Sequence, residues 1–515
     1  MTGSPSRQAG SDDLVEQVVH GTTVRCYRTR TTSLVDLLEQ ALSTSADEVL
    51  LIDPALGRTV TYAQFAALVE GAAETLGSRC SPGDRVGVCV RNGLEAAVAI
   101  WACARAGLVH VGLPHDAPAA RIAELVELTS PTLVLAQPGL GGGAATDDAA
   151  ELLLGDEQPW QVGQPLPDED ATYALIATSG TTGRPKAVRV TGRMVGHAVE
   201  AYVRLMGLTP RDRTAIHLSV AWVSGHVTQL APAMRSGGSA VTMASFGAAQ
   251  LVDVAREHGV TWLDVVPSIW ELLLRVPAFS AEHLPAVRVA VFGGAPAPPG
   301  TLDRVRARMP QLRLLDVYAQ SETCAPVTVL GDLEAARRPG SVGRPMPYCD
   351  LRLVDPDGVD VERGEPGELW VRSPTVTPGY WAPDQTPVAD GWLRTGDLGR
   401  MDAEGYLFVG GRAVDLIIRG GVNVFPAEVE RVLLATGLLS DAAVVGVPSA
   451  VTGENVAAGV VVLPGSDVDA GVLQRAVRDG LGAHAVPRPL RVLDELPRNR
   501  HGKVDRVALQ ALLTR

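Results

Sequence analysis

The sequence predicts an α/β fold: a large N-terminal domain of layered α/β subdomains plus a small β-barrel-like subdomain, followed by a small α+β C-terminal domain. Three observations carry this prediction. Helical and strand periods alternate from residue 33 onward, the pattern changes after about residue 340 to short β stretches separated by turns, and a compact α+β unit begins at Gly411. At 515 residues the chain exceeds what one hydrophobic core supports, so two or more globular units are expected. The boundaries fall at a disordered or loosely attached tail over 1–30, an N-terminal domain over 31–411 and a C-terminal domain over 412–515.

The opening MTGSPSRQAGSDD is polar and lacks the apolar core of a signal peptide, and it reads as a frayed tail. A helix is expected near Ser33 to Leu42, then the strand VLLID, a helix near Thr61 to Leu76, the strand RVGVCV and a helix over Leu94 to Ala106. The apolar run Ala96 to Ala104 is about half the length of a membrane span and reads as a buried helix. TLVLAQ is a further strand. Behind it, Gly139-x-Gly141-x-x-Ala144 matches the dinucleotide fingerprint weakly, but Pro138 precedes it and Asp147-Asp148 stand where phosphate would sit, so a surface connection is the better reading. A second α/β stretch runs through AIHLSV, SAVTMA, TWLDVVPS and VRVAVFGGAP to RLLDVYAQSE. Loops at the ends of such strands are where ligands bind. DLRLVDPDG and GELWVRS then read as short strands of a small barrel or sheet. In the last unit Pro426 opens a helix and Gly437 closes it, followed by AAVVGVP, VAAGVVVLP, a helix near Asp469 to Leu481, RVLDELP and a final helix. A span of about 100 residues suffices for an independent domain.

Composition narrows the function. Hydrophobic residues at 46% and charged residues at 20% are globular values, and a net charge of −13 argues against a nucleic-acid-binding surface, which needs clustered Lys and Arg. Six cysteines without CxxC pairs suit a reducing cytosol, where they serve as small buried apolar residues. With no apolar span and a C-terminal LLTR that carries no peroxisomal address, a cytoplasmic protein is expected.

The densest chemistry lies in ATSGTTGRPKAVRV, residues 177 to 190. TYALIA before it reads as a strand and KAVRVT after it as the returning strand of a hairpin. Glycines let backbone N–H groups close on a phosphate, hydroxyls add donors and a lysine adds a mobile charge. The segment is a phosphate cradle by composition, with an ordinary surface hairpin as the bland alternative. It is not a Walker loop, because Arg184-Pro185 separates Gly183 from Lys186 and a strand follows.

Five further segments join this cradle: GGAPAP at 293–298, DVYAQSET at 316–323, WLRTGDLG at 392–399, GGRAVDLIIRGGVNVFPAEVE at 410–430 and PRNRHGK at 497–503. In this order and spacing they resemble the adenylate-forming superfamily of acyl-CoA synthetases, adenylation domains and luciferases, over about residues 30 to 515. IIRGGVNVFPAEVE is closest to the acyl-CoA synthetase versions. The resemblance implies that Ser179, Gly180, Thr181, Thr182, Gly183 and Lys186 hold the β- and γ-phosphates of ATP. It makes Gly294, Ala295 and Pro296 one wall of the adenine slot, with Tyr318 stacking and Asp316 accepting from the exocyclic amine. Ser321 precedes Glu322, which resembles the family's magnesium ligand and suits a hard cation that takes one or two carboxylates plus phosphate oxygens. Asp397 resembles the acceptor of both ribose hydroxyls, joined by Arg412. Outside the motif these two would read as a surface ion pair.

Lys503 resembles the C-terminal-domain lysine that bridges carboxylate and α-phosphate during adenylation, although a lysine in an Arg-rich turn reads by itself as a solvated charge. Attack of a carboxylate on phosphorus brings two anions together, so neutralisation and alignment matter more than proton transfer. The family runs its second half-reaction after the small domain swivels, which makes that domain mobile. The swivel position, usually Asp or Lys, is Val414 here, and either Asp415 takes over or the hinge tolerates an apolar residue. Ala319 and Ser321 also depart from the usual glycine and threonine, and neither removes a charge.

For the acid, LSVAWVSGH at 218–226 should line the pocket, with Gly293 to Ala295 behind it. Trp222, Ser224, Gly225, His226 and Gly293 are the candidate lining residues. Trp222 reads as pocket wall or core. His226 would orient a polar substituent or serve as a satisfied core histidine. Val220, Ala221 and Val223 offer no acidic partner for an α-ammonium group, so an aromatic, alicyclic or medium-length acyl carboxylate is expected rather than an ordinary α-amino acid. The implied reactants are ATP, Mg2+, a small carboxylic acid and coenzyme A, with an acyl carrier protein as the alternative acceptor. A monomer or homodimer is expected, with neither nucleic acid nor a membrane span. A nucleotide-binding protein without catalysis is the reading from another class, and Lys186, Glu322, Asp397 and Lys503 together argue against it.

Overall fold

The computed structural model describes residues 13–141, 146–179, 185–295, 297, 300–382, 386–412, 415–419, 422–449, 452–463, 468–498 and 504–514. Two sheets carry the N-terminal region. The first runs in the order Pro185–Thr191, Thr172–Ser179, Val109–Gly112, Arg85–Cys89, Leu133–Ala136 and Asp147–Asp148. The second has nine strands, with a parallel centre formed by Arg313–Tyr318, Val289–Gly293, Trp262–Val265, Arg213–Ile216, Ser239–Thr242 and Val49–Asp53. The strands Val109–Gly112, Trp262–Val265 and Ser239–Thr242 are buried at every position, as expected of parallel strands with helices on both faces.

Local signals explain the helices. Ser33 caps Leu34–Ser45 by accepting from Asp36 N. Thr61 and Gln64 form a reciprocal capping box on Tyr62–Gly77, at 3.2 and 2.9 Å. The apolar run expected to be a buried helix is Leu94–Arg105, with Leu94 through Ala104 all buried. The six cysteines are free and buried. Among the described residues no helix is long and apolar enough to cross a membrane.

After these sheets the chain forms an antiparallel five-stranded sheet of Asp350–Val354, Gly367–Arg372, Trp392–Met401, Val388–Ala389 and Leu407–Arg412. This is the small barrel-like subdomain. A separate core then forms in the C-terminal unit, where Leu439–Ser449 and Gly453–Val462 pair over most of their length and the helices Pro426–Ala435 and Ala470–Leu481 bury Val429, Leu433, Leu473 and Val477 against them.

One sequence expectation needs correction. Within the stretch read as a loose tail over 1–30, Leu14–Val19 and Thr22–Tyr27 form an antiparallel hairpin. Arg25 bonds the Asp350 carboxylate at 2.8 Å, Arg204 pairs with Asp13, and Tyr27 is buried against His197 and Tyr348. The alternation in LVEQVV and TTVRCY is a hairpin signal that the polar residues before it diluted.

Candidate active site

The cradle segment is bracketed by an antiparallel hairpin, Thr172–Ser179 with Pro185–Thr191, in which Lys186 faces Thr178 and Pro185 faces Ser179. Gly180, Thr181, Thr182 and Gly183 lie outside the described residues, and Ser179 is described in its backbone only. Lys186 is the described end of the cradle. Its ammonium lies 4.7 Å from the ring centroid of Tyr380, and the Tyr380 hydroxyl donates to Glu322 Oε1 at 2.9 Å. Tyr380 reaches this place because its segment runs beside the lysine strand: it bridges Val188, and Trp381 N donates to the Ala187 carbonyl at 2.8 Å. The Glu322 backbone is held from the same side, its carbonyl accepting from Thr377 N at 2.8 Å. A cation, a phenol and a carboxylate from three distant segments therefore stand in line. Glu322 Oε2 accepts no hydrogen bond among the described residues, so the carboxylate fits a hard cation such as Mg2+.

A second cluster joins two other motifs. The Tyr318 hydroxyl donates to Asp397 Oδ2 at 2.5 Å, and Gln320 Nε2 donates to the same oxygen at 2.7 Å. Asp397 is buried, and its amide donates to the Thr395 hydroxyl at 3.0 Å, which fixes the backbone beneath it. Register places Arg412 directly across from Asp397 on the neighbouring strand. Asp316, two positions before Tyr318 and so on the same face of the strand, has no hydrogen-bond donor among the described residues, and burial pushes its carboxyl up to about 7. A dehydrated acceptor of this kind suits an amine donor. Gly293 ends the preceding strand, where a Cβ would stand 2.3 Å from the Val317 carbonyl, and Gly294 follows at φ 81°. Ala295 is exposed, Ser321 is half-buried in the turn before Glu322, and Pro296 lies outside the described residues.

The segment expected to line an acyl pocket folds into a short turn, Val223–Gly225, continued by a π-helix over His226–Leu230. Such bulges occur often at functional sites. Gly225 is needed sterically, because a Cβ there would stand 2.4 Å from Val220 N. Trp222 is half-buried and packs between two core clusters, and Ser224 offers its carbonyl to Thr228. His226 sits in the core instead of facing a pocket. Its Nδ1 is 3.0 Å from the carbonyls of Val220 and Trp222 and its Nε2 is 3.0 Å from the Tyr173 hydroxyl. Nδ1 therefore carries the proton and Nε2 accepts. Burial holds the ring neutral, pushing it down to about 4.

In the C-terminal unit, Lys503 and Val414, the expected hinge position, lie outside the described residues. The segment bearing Lys503 is closed at its base: Arg498 bridges Val504, and Asp505 N donates to the Pro497 carbonyl at 2.8 Å. Arg506 then pairs with Glu430 at 3.0 Å and with Asp415 at 3.5 Å, which ties the final helix to the residue after Val414. Tyr380 and Gln320 escaped sequence reasoning. Their only local signals were an aromatic after a Pro-Gly turn and a polar residue two places after Tyr318.

These residues, gathered from the ends of a parallel strand and from the segments after it and followed by an α+β unit with its own core, fit an adenylate-forming enzyme, and the chain belongs to that family. The AMP-binding enzyme family matches residues 38–381 and its C-terminal domain matches residues 428–503. An indoleacetate–CoA ligase of Aromatoleum aromaticum is 32% identical over 482 residues, covering 89% of this chain and 94% of that protein. Among solved structures, the o-succinylbenzoate CoA synthetase of Bacillus subtilis, in complex with its acyl-adenylate intermediate, superposes with a TM-score of 0.81 at 29% identity, covering 92% of this chain and 97% of that one. ATP-bound MatB of Rhodopseudomonas palustris superposes with a TM-score of 0.84 at 26% identity, covering 93% and 99%.

Proposed function

We propose that this chain activates a carboxylic acid with ATP as an acyl-adenylate, releasing pyrophosphate, and then transfers the acyl group to the thiol of coenzyme A. The observation that carries the reading is the line Lys186–Tyr380–Glu322, which sets a cation and a metal-type carboxylate around one phenol beside the cradle hairpin. Ligase relatives and the acyl-adenylate in a structural neighbour support the same chemistry.

In the first half-reaction a carboxylate oxygen attacks the α-phosphorus and the bond to pyrophosphate breaks. Lys186, with the hydroxyls and amides of Ser179 to Gly183, holds the leaving pyrophosphate; Lys503 brings carboxylate and α-phosphate together. Mg2+ held by Glu322 would neutralise phosphate charge. Asp397, oriented by Tyr318 and Gln320 and joined by Arg412, takes the ribose hydroxyls, while Asp316 takes the adenine amine beside Gly294, Ala295 and Pro296. Trp222, Ser224, Gly225 and Gly293 shape the acyl side. In the second half-reaction the thiol sulfur attacks the acyl carbonyl carbon, the acyl–phosphate bond breaks and AMP leaves with its electron pair. The boundary near 411 and 412 is the swivel between these states. We place the enzyme in the cytoplasm as a monomer or homodimer.

Incubation with a panel of acids, ATP and either coenzyme A or a phosphopantetheinylated carrier protein tests this reading. Coenzyme A should accelerate AMP release for the preferred acid. Acceleration by the carrier alone would move the acceptor to a carrier-protein thiol, and no pyrophosphate exchange with any acid would refute activation.

A further inference from the structure

The turn that follows Tyr318 serves two halves of the proposed site at once. Gln320 Nε2 donates to Asp397 Oδ2 at 2.7 Å and to the Thr395 carbonyl at 3.1 Å, on the ribose side. Two residues later, Glu322 receives the Tyr380 hydroxyl at 2.9 Å, on the metal side. Thr323, fully buried, closes the turn that carries both. Its hydroxyl accepts from Gln320 N at 3.0 Å, and its single proton is shared between the carbonyls of Gln320 at 3.0 Å and Ala325 at 3.2 Å. The Gln320 carbonyl also accepts from Thr323 N at 3.1 Å and from Cys324 N at 3.0 Å. Both polar groups of the Gln320 backbone are therefore held by the residues that follow Glu322. Cys324, also buried, adopts φ 56°, a left-handed conformation that costs energy in a residue with a Cβ and persists where the surroundings over-determine it. Such strain gathers at functional sites. The rest of the turn is pinned as well, with the Glu322 carbonyl accepting from Thr377 N at 2.8 Å and the Tyr318 carbonyl from Val327 N at 2.8 Å.

Resting on the acid-activating reading above, we infer that Thr323 is a positioning residue: its hydroxyl locks the turn so that Gln320 reaches the ribose-binding Asp397 and Glu322 presents its carboxylate to the metal, at a fixed separation. It acts through these neighbours and touches neither nucleotide nor metal itself. Without the hydroxyl, the Gln320 N–H loses its acceptor in a part-buried turn, which is costly, and the turn relaxes towards both sides. Nucleoside binding and metal binding then weaken together. A change at Tyr380 reaches the metal side first and one at Asp397 the ribose side, so the joint shift is the signature of Thr323.

The test uses the full chain as wild type, Thr323→Val, which keeps the shape and removes the hydroxyl, and Thr323→Ser, which keeps the hydroxyl. Two constants are measured: the Kd of AMP by calorimetry with no metal present, and the Mg2+ concentration for half-maximal pyrophosphate exchange with the preferred acid. Thr323→Val should raise both by about tenfold, with a smaller change in kcat at saturation. Thr323→Ser should return both to within about twofold of wild type. Either constant staying at its wild-type value in Thr323→Val overturns the inference, because the turn would then not join the two sides. Equal losses in the serine and valine variants overturn it too, since packing of the methyl group and not the hydroxyl would be responsible. The serine variant carries the test if the valine chain does not fold: a rise of both constants in a folded Thr323→Ser defeats the hydroxyl lock. These outcomes defeat this inference alone, whereas wild type that neither binds AMP nor exchanges pyrophosphate with any acid defeats the reading beneath it.

Discussion

The Tyr380 hydroxyl donates to Glu322 at 2.9 Å while the same ring carries the Lys186 ammonium on its face at 4.7 Å. One side chain thereby spaces a cation and an anion that would otherwise approach each other directly. The phenol keeps the glutamate oriented and leaves its second oxygen open to a metal ion. A cation over an aromatic face is worth about 0.5–2 kcal/mol, and a hydrogen bond to a charged group about 1.5–3 kcal/mol.

Tyr380→Phe separates these roles, since it keeps the ring and removes the hydroxyl. The Mg2+ concentration for half-maximal pyrophosphate exchange should rise about tenfold, with a smaller change in KM for ATP. Tyr380→Ala should affect both. A magnesium titration of the phenylalanine variant superposing on wild type would remove Tyr380 from the site.

Asp397→Asn should raise KM for ATP by about 10- to 100-fold, because the carboxylate takes two donors and faces Arg412 across the strand pair. Tyr318→Phe should cost less. Because Tyr318 and Asp397 share a hydrogen bond, the double variant should lose less than the two single losses combined. Strict additivity in nucleotide-binding measurements would contradict their coupling.

Asp316 sets a pH dependence of stability. Its folded carboxyl stands near 7, above the value of an unfolded aspartate, so the folded state binds the proton more tightly. Stability from this group is present at low pH, declines as pH rises from about 4 through about 7, and is fully lost above that. Asp316→Asn should therefore stabilise the nucleotide-free protein against unfolding at about pH 8, by on the order of 1–2 kcal/mol, and change little near pH 5. Equal effects at both pH values would refute the shifted carboxyl.

Lys503→Ala tests the division of labour between the domains. Loss of pyrophosphate exchange should exceed loss of thiolysis of supplied acyl-adenylate by about a hundredfold or more. Equal losses in both assays would sink the assignment of Lys503 to adenylation.

Features written in contiguous residues were legible without coordinates. Thr61 with Gln64, Ser33, Pro426 and the hairpin around residues 179–185 each announce a cap or a turn through neighbours a few positions away. The polar residues before Leu14 obscured the N-terminal hairpin, because averaging over a segment hides the alternation inside it. His226 was ambiguous for a different reason: only the positions of Tyr173 and two carbonyls show that both its nitrogens are occupied.

The sequence by itself determined the family and the order of layers, and it proposed which charged residues carry nucleotide chemistry, since these reside in short motifs whose residue types are dictated by phosphate and ribose. Tertiary structure alone decided that Tyr380 stands between Lys186 and Glu322 and that Gln320 shares Asp397 with Tyr318. The physical reason is range. Motifs are constrained by bonds along the chain, whereas hydrogen bonds and buried carboxyls depend on distances across strands and layers that no local pattern encodes.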